Sequence, residues 1–176
     1  MPKLTLKEFK EYLYSQSQEE LVLELEKIFK LYPEIQIYFQ ALLSPSGGVE
    51  QFAKVTELIH KQFNPKGMPK NPDLLRIKKA ISGFAKLQPD PGQLAKLYFQ
   101  LAFGLMSFIE EYAAQEWYYM PFYNAAKNFL LFVGKHGLQN EFEEDARKLV
   151  EYEPDYGSDL PDIYHQNFTK PLRKER

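Results

Sequence analysis

The sequence predicts an all-α fold, and three observations carry that prediction. Short polar residues followed three positions later by a carboxylate recur ahead of apolar stretches: Thr5 with Glu8, Ser17 with Glu20, and Asn140 with Glu143. In each pair the two side chains can satisfy the free amides of a helix start reciprocally. Pro33, Pro72, Pro91 and Pro121 stand where a first helical residue belongs, because proline costs no hydrogen bond there. Apolar residues recur at steps of three and four, and no alternating strand pattern occurs anywhere in the 176 residues.

These signals divide the chain in order. The boxes at Thr5 and Ser17 open helices near 5–15 and 17–31, and Pro33 opens a third near 33–43. A fourth, near 48–63, places Val49, Phe52, Thr56, Ile59 and Phe63 along one face. Pro72 opens a fifth, near 72–87. The sixth, near 91–115, follows Asp90, Pro91 and Gln93, which read as cap, first residue and capping-box partner. Pro121 opens a seventh, near 121–136, which ends at His136-Gly137-Leu138, with glycine taking the left-handed conformation. An eighth runs near 140–152, and a short ninth is expected near 161–168. Eight to nine helices with short connections should pack as consecutive antiparallel hairpins.

The sixth helix organises the rest. Leu94, Leu97, Tyr98, Phe99, Leu101, Phe103, Leu105, Met106, Phe108 and Ile109 make it apolar almost all round. Gln93, Lys96, Gln100, Gly104, Ser107 and Glu111 leave one narrow polar stripe. Such a helix must be surrounded by other helices. Leu105 and Ile109, opposite the stripe, should be fully buried. The expected organisation is one helical domain over 1–169 with a basic, disordered tail at 170–176.

Composition bounds the function more than it names it. A formal net charge of −2 argues against a protein dominated by one oppositely charged partner. The absence of cysteine removes thiol nucleophiles, disulfides and thiolate metal sites. The start, MPKLTLKEFKEY, lacks the apolar run of a secretory signal, and the greasy stretch from Leu97 to Ile109 is shorter than the roughly 20 residues a bilayer span needs. A soluble, cytoplasmic protein without membrane association is the expectation. Ala125 and Phe129 have a spacing seen in tetratricopeptide repeats, but no second copy follows at a fixed period.

Two constellations stand out as candidate sites. Trp117, Tyr118, Tyr119, Met120, Phe122 and Tyr123 crowd the expected turn between the sixth and seventh helices. Tryptophan and tyrosine combine large area with low entropy cost, which suits a protein-docking surface. Trp117, Tyr118, Tyr119, Met120 and Tyr123 are therefore the candidate protein-binding residues, against the plainer alternative that they plug the end of the core. The second constellation is charge. Lys61, Lys66, Lys70, Arg76, Lys78, Lys79 and Lys86 face Asp73 alone, whereas 141–162 is strongly acidic. Lys66, Lys70, Arg76, Lys78 and Lys79 are candidate anion- or RNA-binding residues. Alternatively, the two segments attract each other or solvate opposite faces.

No catalytic set emerges. There is no phosphate loop, nucleophile elbow or zinc-binding helix motif. His60, His136 and His165 are scattered. Asp162 and His165 have a metal-sharing spacing without the second copy that a two-metal bundle uses. Glu110, Glu111 and Glu116 read as solvated charge. No metal and no cofactor are expected.

Several motifs together resemble an uncharacterised family of small, all-helical bacterial proteins, known only as a domain of unknown function. They are the first two capped helices, Lys78-Lys79-Ala80-Ile81-Ser82 running into Leu87-Gln88-Pro89-Asp90-Pro91, Pro121-Phe122-Tyr123-Asn124, and His136-Gly137-Leu138. The resemblance extends over Leu4 to Phe168. It departs at Trp117, Tyr118, Tyr119 and Met120, where the family has a polar, acidic turn. It implies an all-α fold and no established activity. The functional expectation is a non-enzymatic helical protein-interaction module; the alternative is an anion- or RNA-binding protein using 61–86.

Overall fold

Helix starts are set by the caps. In the computed structural model, which describes residues 4–44, 47–64, 70–113, 115–152 and 158–169, the Thr5 and Ser17 boxes are both closed. The Glu8 amide donates to Thr5 Oγ1 at 3.3 Å while Thr5 N–H donates to the Glu8 carboxylate at 2.8 Å. The corresponding distances at Ser17 and Glu20 are 3.2 and 2.7 Å. These bonds hold both glutamates below the usual carboxylate range, with the Thr5 side chain and the Ser17 backbone as the respective leading causes. Nine α-helices, a five-residue π turn and no strand occur among the described residues.

The chain forms two compact units, 1–47 and 48–176. The first carries α1 (Leu6–Ser15), α2 (Gln18–Leu31) and α3 (Pro33–Leu43). Gln36 Nε2 donates to the Phe29 carbonyl at 2.9 Å, and the rings of Phe29 and Phe39 lie 6.3 Å apart, joining α2 to α3. No residue of α1, α2 or α3 is buried.

The second unit carries α4 (Gly47–Phe63, entering from the first), α5 (Leu74–Ala85), α6 (Pro91–Tyr112), α7 (Gln115–His136), α8 (Gln139–Glu151), α9 (Leu160–Tyr164) and a π turn at His165–Thr169. Its core is continuous: Val55, Ile59 and Phe63 of α4, Ile77, Ile81 and Phe84 of α5, most apolar residues of α6, and Phe122, Phe129, Leu130 and Val133 of α7. Phe142, Leu149, Leu160 and Ile163 close it from α8 and α9. Leu105 is 0% exposed and Ile109 2%, as their place opposite the polar stripe requires. α6 packs against α5, α7 and α8, so its broad apolar surface is met on several sides.

Several boundaries differ from expectation, each for a local reason. Asp73, not the residue before Pro72, caps α5, accepting the Arg76 amide at 2.9 Å. α6 stops at Tyr112 because Ala113 adopts the left-handed conformation (φ 49°) and turns the chain. α7 ends as expected: Gly137 has φ 70° and the Leu138 amide reaches the Val133 carbonyl at 3.1 Å. That turn delivers Leu138 directly into α8, so the helix starts one residue ahead of the Asn140 cap, with no side-chain bond at its N-cap and a kink at Phe142.

Candidate functional site

The largest departure falls on the aromatic segment. α7 begins at Gln115, six residues before Pro121, so Trp117 to Tyr123 lie on a helix and not on a turn. Proline at a first helical position costs no hydrogen bond, which is why a start at Pro121 was expected. Packing overrides that preference. Phe122 is completely buried, with its ring 5.4 Å from that of Tyr152, and the Tyr118 ring meets Phe108 edge-on at 5.0 Å. Burial pushes the hydroxyl pKa of Tyr118 and Tyr152 up.

Helical spacing divides the segment by face. Trp117 is 81% exposed and Met120, three residues on, 57% exposed. Tyr118, Tyr119 and Tyr123 are half-buried against the core. The core-plugging alternative therefore holds for Phe122, whereas Trp117 and Met120 stand free of the core.

Tyr123 has a structural partner set. Its hydroxyl donates to Asp159, and Lys127 Nζ reaches the Tyr123 hydroxyl at 3.0 Å and Asp159 at 3.1 Å. The triad ties α7 to the residue preceding α9. The bond from Tyr123, then that from Lys127, holds the Asp159 carboxyl below its usual range, and bonds to Tyr123 and Asp159 raise Lys127. Lys127, missed in the sequence, lies four residues from Tyr123 on the same helix face.

The basic residues do not share one face. Lys66 lies outside the described residues, and Lys70 is exposed ahead of α5. Arg76 and Lys79 are exposed one turn apart, and Lys86 follows the end of α5. Lys78 is about 100° round the helix from Lys79. It lines a groove of about 290 Å³ with Ser82, Tyr98, Asn124 and Asn128. Within the acidic segment Arg147 pairs with Glu143 at 2.9 Å and Lys148 with Asp145 at 3.8 Å along α8, and Asp159 pairs with Lys127 of α7.

Among the described residues, no three histidine, aspartate or glutamate side chains converge as a metal site would require, and no helix is long and apolar enough to cross a membrane. The first unit carries an apolar surface not singled out from the sequence: Val22, Leu25 and Phe29 are 50, 50 and 42% exposed along one stripe of α2. The signal was present: Leu21, Val22, Leu23, Leu25, Ile28, Phe29 and Leu31 cover more of α2 than one neighbouring helix can bury. No protein-family model, curated protein or solved structure matches this chain.

Proposed function

We propose that this chain is a non-catalytic helical interaction module whose first unit docks with a protein partner. One observation carries the reading: α1 and α2 are closed by side-chain caps and α2 packs against α3, yet no residue of the three helices is buried. Segments of this size rarely supply their own stability without disulfides, metals or association. Leu6, Phe9, Val22, Leu25, Phe29, Ile37 and Leu42 are exposed to water, and exposed apolar surface beyond scattered single residues marks interaction sites.

The partner we favour is a second copy of the chain. α2 places Glu19, Glu20 and Glu24 towards its start, and Lys27 and Lys30, paired along the helix with Glu24 and Glu26, towards its end. Antiparallel pairing of two α2 helices across a two-fold axis sets the acidic end of each beside the basic end of the other, with Val22, Leu25 and Phe29 in the seam. Sedimentation equilibrium tests this. The expected result is a dimer that dissociates on dilution, and a Leu25→Lys variant that is monomeric with unchanged helicity. A wild-type chain that stays monomeric at every concentration reached overturns the reading.

The Lys78 groove favours a second reading, binding of a small anion. It joins one cation to hydroxyl and amide groups, and no carboxylate lines it. Under this reading Lys78→Ala abolishes phosphate binding followed by calorimetry, whereas Arg76→Ala with Lys79→Ala leaves it intact. Equal losses from both variants point to diffuse charge and refute a groove site. Membership of the small helical family rests on the motifs quoted above and is part of this proposal.

A further inference from the structure

α5 and α7 both pack against α6, and the groove that holds Lys78 is lined from all three helices. The sequence builds it by register. Lys78, Ile81, Ser82 and Ala85 fall on one face of α5, and Asn124 and Asn128 stand one turn apart on α7. From Lys78 to Ala85 that wall runs for about 10 Å of helix, so the groove is elongated.

Its lining separates into a floor and a rim. Ile81, Leu101 and Ala125 are buried and Ala85 is half-buried, whereas Lys78, Ser82, Asn124 and Asn128 are exposed. The floor is aliphatic apart from the half-buried Tyr98, which suits a hydrocarbon chain better than a ring. A cavity of about 150 Å³ already admits benzene, so about 290 Å³ leaves room for a longer body. The rim is a donor set open to solvent. Lys78, Ser82 and Asn128 have no side-chain hydrogen bond or ion pair among the described residues, and each brings at least one N–H or O–H. The Asn124 amide is already held by the Met120 carbonyl at 2.8 Å. No carboxylate on the lining competes for Lys78. One cation beside neutral donors matches a monoanion, whereas the second charge of a phosphate meets no second cation here.

Resting on the anion reading of this groove, we infer that its ligand is a medium-chain aliphatic carboxylate. Lys78, Ser82 and Asn128 hold the carboxylate, and the chain lies over Ile81, Leu101 and Ala125. The charged head keeps contact with water at the rim while the chain leaves it, the division that an amphipathic acid needs.

The test titrates the full chain with butanoate, hexanoate and octanoate, all below micelle-forming concentrations, and with 1-octanol and inorganic phosphate. Calorimetry gives the affinities, and NMR of the Asn128 side-chain amide locates the binding. Affinity is expected to rise about two- to fourfold per added methylene, the effect of partly to fully burying each one. Octanol should bind about tenfold more weakly than octanoate, having lost the charge-assisted bonds. Lys78→Gln, at an exposed position and expected to fold, should bring octanoate down to the level of octanol. Arg76→Ala with Lys79→Ala should leave the series unchanged. A chain-length series that stays flat, while phosphate binds the wild type and not Lys78→Gln, overturns this inference and leaves the anion reading standing. Absence of binding by phosphate and by every carboxylate overturns both. Equal affinity for octanol and octanoate, or octanoate binding that leaves the Asn128 amide unmoved, also overturns the inference.

Discussion

Replacing Leu105 by alanine examines the central position of α6 most directly. Leu105 is completely buried in the core of the second unit, where α5, α7 and α8 pack against its helix. Truncation removes three carbon atoms from a site closed on several sides, so both the lost transfer energy and a residual cavity count. For buried leucines that sum is about 3–4 kcal/mol, towards the middle of the range for such sites. The second unit spans Gly48–Arg176. At about 2.1 cal/mol/K per residue, a unit of that length loses roughly 4 °C of Tm per kcal/mol, so the expected drop is about 12–16 °C. Differential scanning calorimetry and urea unfolding give the answer, with Leu75→Ala as control because Leu75 is 64% exposed on α5. The control should move by less than about 0.5 kcal/mol. A loss that small for Leu105→Ala would refute the packing of α6 at the centre.

Neighbouring residues on α7 should separate cleanly. Trp117 fluorescence should be red-shifted and quencher-accessible, with Trp117→Ala changing stability by less than about 0.5 kcal/mol, while Phe122→Ala costs about 3–5 kcal/mol; a blue-shifted, protected tryptophan would retire this face as a candidate docking surface. Two helical glycines should respond with opposite signs in urea unfolding. Gly83→Ala meets open space and should stabilise by roughly 0.5–1 kcal/mol, whereas Gly134→Ala drives a methyl to 2.8 Å from Asn167 Cβ, whose amide is already held by the Ile163 carbonyl, and should destabilise. Finally, Asp159 has a lowered carboxyl pKa, so its contribution is present above the unfolded value of about 3.9 and is lost as pH falls through the lower folded value. Lys127 is raised, so its contribution is present below the unfolded value of about 10.4 and is lost as pH rises through the higher folded one. Acid and base unfolding of Tyr123→Phe should both show a weaker dependence than wild type, and identical curves would remove the triad from the stability of this corner.

What could be read from the sequence, and what could not, follows from the range of each interaction. The caps at Thr5, Ser17 and Asp90 and the turn at Gly137 are satisfied within a few residues, so their chemistry is written locally and the structure repeats it. The burial of Leu105 and Ile109 was equally legible, because an apolar arc on one helix needs no knowledge of which helices cover it. Pro121 shows where this reasoning fails. Its local preference for starting a helix lost to the packing of Tyr118 on Phe108 and of Phe122 on Tyr152, contacts with residues 10 to 30 positions away. That override turned an expected loop into a helix face, and with it divided one aromatic cluster into a buried half and an exposed half. The basic segment failed in the complementary way: composition counts charges but not their angles, and α5 turns Lys78 into a groove while Arg76 and Lys79 face elsewhere. The cavity below Gln100 lay beyond sequence reading altogether. Gln100 and Gly104 were visible as members of a polar stripe, and a polar stripe on a central helix ordinarily faces water. Here α4 lays Phe63 against Gly104, and part of the stripe lines a cavity of about 220 Å³ between the two helices.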